Sequence, residues 1–180
     1  MLPADPRTLG STVTEGGTNF AIWSNAADAI ELCLFNEVNG KLVETRFAMA
    51  HRNGPIWHGY LAGVRAGQRY GYRVYGPWLP EHGVRFNAAK LLLDPYAHVI
   101  DGDLVYSPEI YGHVATDAYG AGDLNERDPR DSAGKVSEVR TGWIKAEEYA
   151  EDDLELVLCE CWFHILDAVD VGQPRNMVEE

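Results

Sequence analysis

The sequence is short of cysteine, short of cations and free of long apolar stretches, and each shortage narrows what it can be. Its three cysteines, Cys33, Cys159 and Cys161, are too few and too unevenly spaced for a disulfide framework, which points to a reducing compartment. Lys and Arg number 15 against 28 Asp and Glu, a formal net charge of −13. Phosphate binding draws on clustered cations to release counterions, so nucleic acid is not an expected partner. No apolar run approaches the roughly 20 residues of a membrane helix, so no membrane association is expected. The opening MLPADPRTLG has no basic stretch followed by an apolar one, which predicts a cytoplasmic address. Glycine-rich phosphate loops, dinucleotide fingerprints and Ser/His/Asp motifs are also missing, and no cofactor is expected.

What is present suits one globular core. A chain of 180 residues accommodates one domain, or one domain and a docked tail. Hydrophobic residues at 46% and charged residues at 24% are ordinary for such a protein. The charge is uneven. Residues 1–135 carry 12 basic and 16 acidic side chains, whereas 136–180 carry 3 and 12, so the chain changes character near 135.

From Thr8 to about Gly76 short segments alternate with turn residues, the pattern of a sandwich or barrel. Gly16-Gly17 and Asn39-Gly40 are expected to supply the positive φ of two-residue hairpins joining Ser11–Thr14 to Thr18–Ser24 and Ala29–Asn36 to Lys41–Ala50. Alternation places Phe20, Ile22, Ile30, Leu32 and Leu34 on one face as core candidates. Trp57–Ala62 and Arg69–Tyr75 flank the turn-rich Gly63–Gln68, with Tyr70, Tyr72 and Val74 alternating against Gly71 and Arg73. Trp23, Trp57, Tyr70 and Tyr72 read as core or half-buried sheet residues. Leu91–Leu93 should bury against the sandwich, with Asp94-Pro95 starting a turn. Residues 100–135 read as an extended loop, of a length that is uncommon unless it packs on something. Thr141–Ala150 reads as helical, and Leu154–Val169 fits strand or helix equally.

The stretch WHGYLAGVRAGQRYGYRVYGPWLPEHGVRFNAAKLLLDPYA, from Trp57 to Ala97, resembles the N-terminal domain of bacterial glycogen-debranching enzymes and isoamylases. That domain is carbohydrate-binding module family 48, found within glycoside hydrolase family 13. Gly17–Phe35 and the GDL and DSA of Gly102–Ala133 extend the resemblance over about the first 135 residues. It rests on YGYRVYGPW, RFN and KLLLDPYA occurring in the family's order and spacing. The resemblance implies an immunoglobulin-like antiparallel β-sandwich over 8–100, a linker over 101–135 and an unmatched acidic tail over 136–180. It also implies a noncatalytic α-glucan (glycogen)-binding or substrate-orienting role in glycogen breakdown. Trp78 falls where binding members place one of two sugar-stacking tryptophans. The other would follow a Phe-Asn pair, and here Phe35-Asn36 is followed by Glu37-Val38. Where a lysine often reaches the sugar, this chain has Gly71, and where proline usually follows RFN it has Ala88. Two readings of Trp78 stay open: packing against a partner domain, or sugar contact. Arg73, read as an exposed strand arginine, and Tyr75 complete the candidate carbohydrate-binding set.

Retaining glycoside hydrolysis needs two carboxyl groups on a rigid scaffold. The family's scaffold is a barrel of about 250 residues, which 136–180 cannot supply. No catalytic residue is therefore expected, and acidic clusters such as Glu147-Glu148 and Glu151–Asp153 read as solvated faces. After Ser132-Ala133 the resemblance stops, consistent with a truncated or frame-shifted fragment, a short paralogue with its own tail, or strong divergence. Such a fragment would act only as a protein-interaction or structural module. Its partner would be a catalytic barrel domain or another copy of itself. Cys159, Cys161 and His164 form C-x-C-x2-H, but with no fourth ligand nearby they read as apolar packing and no metal is expected.

Overall fold

The computed structural model describes residues 1–101, 108–114, 123–126 and 141–143. Thirteen strands lie within them. The first seven build the sandwich: β1 (Gly10–Thr14), β2 (Gly17–Trp23), β3 (Ala29–Val38), β4 (Lys41–Ala48), β5 (His51–Asn53), β6 (Ile56–Ala62) and β7 (Arg69–Tyr75). The remainder are short: β8 (Trp78–Leu79), β9 (Val84–Arg85), β10 (Val99–Asp101), β11 (His113–Val114), β12 (Asp123–Leu124) and β13 (Thr141–Trp143). One sheet runs β1-β2-β6-β5 and the other β10-β13-β7-β3-β4, with every pairing antiparallel. The fold is mainly β, an antiparallel sandwich.

Period-two alternation decides which side chains face inward. Phe20 and Ile22 from β2, Ile30, Leu32 and Leu34 from β3, and Tyr70, Tyr72 and Val74 from β7 form one core cluster with Met49, Trp57, Leu61 and Phe86. Phe20 and Tyr70 meet edge-to-face at 5.3 Å between ring centroids. The Trp57 indole N–H donates to the Ser24 carbonyl at 3.1 Å, so burying this ring orphans no donor. Trp23 lies at the margin, half-buried against Leu93.

Asn39 and Gly40, with φ of 53° and 72°, form the expected left-handed two-residue turn between Val38 and Lys41. The other glycine pair works differently. The first hairpin turns through Glu15-Gly16, with Thr14 opposite Gly17, and neither glycine has positive φ. Gly17 is required instead by close approach, since a methyl group there would collide with the Leu61 carbonyl oxygen; at Gly16 a methyl group would meet only the tip of the Tyr60 side chain, its hydroxyl, at 2.8 Å. Strands β6 and β7 do not pair with each other, because the loop 63–68 carries the chain from one sheet to the other.

Residues 141–143 correct the helical reading of Thr141–Ala150 where the structure describes it. They form β13, which lies between β10 and β7 with Gly142 opposite Tyr70. One edge of β7 is taken by β3, and β13 pairs with the other, so pairing outweighs local helical preference. Higher up that edge, Tyr72 and Leu92 exchange two backbone hydrogen bonds of 2.8 Å, which seats the Leu91–Leu93 segment. The remainder of the tail reading, including Leu154–Val169 and the Cys159/Cys161/His164 motif, lies outside the described residues.

Candidate carbohydrate-binding site

On β7, Tyr70, Tyr72 and Val74 point into the core, so Arg73 and Tyr75 share the opposite, outer face of the sheet. The expectation of an exposed strand arginine is corrected here, for Arg73 is 1% exposed. Its Nε and Nη2 donate to Glu44 Oε1 and Oε2 at 2.7 and 3.1 Å, and Nη1 donates to the Ala88 carbonyl at 2.9 Å. The guanidinium is thus clamped between β4 and the segment after RFN. Glu44 also accepts from Arg46 Nε at 2.8 Å, and Arg46 lies 3.6 Å from Glu31. Glu31 Oε2 accepts from the Tyr75 hydroxyl at 2.8 Å, a bond that raises the tyrosine pKa. Arg73 and Tyr75 therefore end a line of alternating charges across three strands, and Tyr75 is the half-buried member nearer the rim. Cys33 lies beneath this line, and burial, reinforced by Glu44, pushes its thiol pKa up to about 12. It is a packed, unreactive thiol at neutral pH.

Trp78 follows Tyr75 by three residues and pairs with Arg85 in the β8–β9 hairpin. It is half-buried, and its indole N–H is buried without an acceptor among the described residues. The far rim of the ring faces Gly112, where an added methyl group would lie 3.6 Å from Cη2 and Cζ3. Gly112 is held in place by two buried asparagines. Asn87, from RFN, donates through Nδ2 to the carbonyls of Gly112 at 3.0 Å and Asn125 at 2.8 Å. Asn125 Nδ2 donates to the carbonyls of Pro108 at 2.9 Å and Tyr111 at 3.0 Å, and its backbone N–H donates to Gly112 O at 2.9 Å. The loop reading of this region is thereby refined. Residues 108–114 and 123–126 contain a 3-10 turn and the β11–β12 pair, and they dock on the sandwich. Sequence reasoning passed over Asn87 and Asn125, although both stand in or beside the quoted RFN and GDL motifs.

The residues after Phe35-Asn36 lie elsewhere. Ala29 is opposite Tyr75 and Phe35 opposite Arg69, so six residue pairs, roughly 20 Å at the usual strand rise, separate the Trp78 end from the Glu37 end. At that far end an open cleft of about 470 Å³ is lined by Phe35, Asn36, Glu37, Leu42, Arg65 and Gln68 among others. Its one aromatic side chain, Phe35, is 3% exposed and offers no stacking face. Trp78 and Tyr75 are neighbours at one rim; the implied second tryptophan position is not beside them.

A third polar cluster fastens the DPYA turn. Asp94 is buried, accepting from the Tyr70 hydroxyl at 2.9 Å and the Tyr96 backbone N–H at 2.8 Å. Desolvation raises its pKa to about 6, and those hydrogen bonds only partly oppose it. Among the described residues no group of three or more His, Cys, Asp or Glu is placed to hold a metal ion. Nor does any described helix have the length and apolarity to cross a membrane.

An antiparallel sandwich with a rim tryptophan and a stitched linker defines the class, a β-sandwich module. Residues 8–97 match carbohydrate-binding module 48 (isoamylase N-terminal domain), and the chain belongs to that family. It is similar to the glycogen debranching enzyme of Cronobacter sakazakii, 46% identical over 136 residues, covering 74% of this chain and 19% of that protein. The glycogen debranching enzyme of Erwinia tasmaniensis is 50% identical over 111 residues, 60% of this chain and 16% of that one. The chain thus spans less than a fifth of these relatives' length. Among solved structures, pullulanase from Bacillus acidopullulyticus aligns with a TM-score of 0.41 and 21% identity over 53% of this chain and 10% of its own.

Proposed function

We propose that the chain is a noncatalytic α-glucan-binding or substrate-orienting module, with Trp78 as its sugar-stacking ring and Tyr75 beside it. The observation that carries this reading is membership of the carbohydrate-binding module 48 family over residues 8–97, a span that ends with this rim and the DPYA turn. An indole offers an apolar face to a glucose ring and one N–H to a hydroxyl, and the Trp78 N–H has no acceptor among the described residues. Arg73 serves indirectly, by holding Glu44 and the segment at Ala88. Glycogen co-sedimentation of the wild type and Trp78→Ala tests the reading. Wild-type protein in the pellet and variant in the supernatant is the expected result. Equal recovery of both in the supernatant refutes glucan binding, and reducing-end release from glycogen or pullulan by the pure protein refutes the noncatalytic role.

One observation favours a second reading, a structural or interaction module. Among the described residues, most of the exposed large apolar side chains fall between Leu79 and Leu124 in the sequence, including Tyr96, Val99, Ile100 and Val114. Exposed apolar surface of this kind fits a partner surface. Light scattering across a concentration series distinguishes self-association from a monomer that awaits another domain.

A further inference from the structure

Residues 1–5 form an arm laid against the β1-β2-β6-β5 sheet. Phe20, Ile22, Trp57 and Leu61 face the core, so Asn19 and His58 belong to the opposite face of that sheet, yet both are buried. The arm bonds to each of them. Ala4 N–H donates to His58 Nδ1 at 3.1 Å, Asp5 N–H donates to Asn19 Oδ1 at 2.7 Å, and Asn19 Nδ2 donates to the Asp5 carbonyl at 3.0 Å. Leu2 and Tyr60 exchange backbone hydrogen bonds of 3.0 and 2.8 Å, and the Met1 side chain fills the notch left by Gly59 and packs on the core. Of these polar fastenings, the one at His58 depends on a proton. A ring nitrogen that accepts carries no hydrogen, so the arm is docked on a neutral imidazole, and protonation would turn Nδ1 into a donor facing the Ala4 N–H.

We infer that His58 is a proton-sensitive latch for this arm: residues 1–5 dock on the neutral imidazole, and protonation of the ring releases them, uncovering the Tyr60 edge of β6 and the notch over Gly59. The surroundings of the ring bear on this. From β5, His51 is its cross-strand partner and stacks on it at 6.0 Å between centroids, so two charged rings there would repel. Arg52, the next residue, directs its guanidinium to the Trp57 ring and to the carbonyls of Gly54 and Asn25. From the arm comes Asp5, a countercharge that Arg7 already takes through bonds to both carboxylate oxygens. Strand β2 brings only the uncharged Asn19 and Ala21. Docking is therefore complete at high pH and weakens as pH falls. With one proton bound per release, the ratio of docked to open arm falls by at most tenfold per pH unit.

The test is amide hydrogen exchange of the full chain followed by NMR between pH 8 and pH 5, the window in which imidazoles change charge, with each rate taken relative to the unstructured rate at that pH. The Tyr60 N–H, bonded to the Leu2 carbonyl, should lose protection along a one-proton curve as pH falls. Met49, whose N–H bonds the Ile30 carbonyl in the other sheet, should stay protected. His58→Asn offers the Ala4 N–H a carboxamide oxygen that does not titrate, so Tyr60 should stay protected throughout, whereas His51→Asn should leave the wild-type fall in place. Constant protection of Tyr60 in the wild type, an equal fall at Met49, a fall that persists in a folded His58→Asn, or one that is lost in His51→Asn overturns the latch. Should His58→Asn fail to fold, the wild type decides: the His58 ring resonances and the Tyr60 protection must share one midpoint, and separate midpoints overturn it.

Discussion

Replacing Asp94 by asparagine removes one charge from an almost fully buried site and leaves the shape unchanged. Burial raises the carboxyl pKa from 3.8 to about 6, so the folded protein takes up a proton that the unfolded chain releases between those values. The sign follows directly: a raised carboxyl contributes its full stability below pH 3.8 and loses it as pH climbs through about 6. Each pKa unit corresponds to about 1.4 kcal/mol, so the ionised carboxyl costs the fold about 3 kcal/mol at pH 7. The groups facing it are Tyr70 and Tyr72 from β7, with Ser11 from β1 bonded to the Tyr70 hydroxyl, and His98 and the Tyr96 N–H from its own segment. Tyr72 offers the new amide a partner, since its buried hydroxyl has none among the described residues. Asp94→Asn should therefore be more stable than wild type at pH 7, by about 1–3 kcal/mol after allowing for one altered hydrogen bond. The advantage should shrink steadily to pH 4. Urea unfolding of both proteins at pH 4.5, 5.5 and 7 measures the difference and cancels the other carboxylates common to both. Parallel stability curves across that range, or a variant less stable at pH 7, would refute a raised Asp94 pKa.

Three further substitutions probe the packing and the backbone. Glu44→Ala leaves the Arg73 guanidinium buried without its carboxylate, and urea unfolding should register a loss of about 3–5 kcal/mol, far more than for exposed Asp5→Ala. Gly17→Ala drives a methyl group onto the Leu61 carbonyl in the β2–β6 ladder and should cost about 1–3 kcal/mol. Gly40→Ala has open space around it, so its loss, about 1–2 kcal/mol, comes from positive φ alone. A Gly17→Ala protein as stable as wild type would contradict the close-approach account.

Local pattern carried the sandwich well, because period two is a property of neighbours: Ile30, Leu32 and Leu34 alternate in sequence as they do in the sheet. Asn39-Gly40 was legible for the same reason, since two adjacent residues determine that turn. What failed depended on distant partners. Arg73 reads as a solvated strand cation until Glu44, 29 residues away, and the Ala88 carbonyl close over it. The strand at Thr141–Trp143 exists through its pairing with Val99–Asp101 and Arg69-Tyr70, which no window of local sequence contains. Gly16 and Gly17 announced a turn correctly, but Gly17 is there for a different cause, because the Leu61 carbonyl that crowds it comes from another strand.

Three of the motifs that carry the resemblance turn out to mark seams. Asn87 of RFN and Asn125 just after GDL fasten the linker, and Asp94 of KLLLDPYA fastens the turn between linker and sandwich. Asn87 and Asn125 bury amide groups whose partners come from other segments, so truncating either strands backbone carbonyls and is costly, whereas Asp94 holds its turn at the expense of a buried charge. A stacking tryptophan at a rim carries no comparable structural penalty when it is lost. The two kinds of residue answer different questions: the seams bear on how the linker and the sandwich are joined, and Trp78 with Tyr75 on the proposed grip on glucan. The two kinds meet at Gly112, whose carbonyl accepts from Asn87 while its Cα side faces the Trp78 ring.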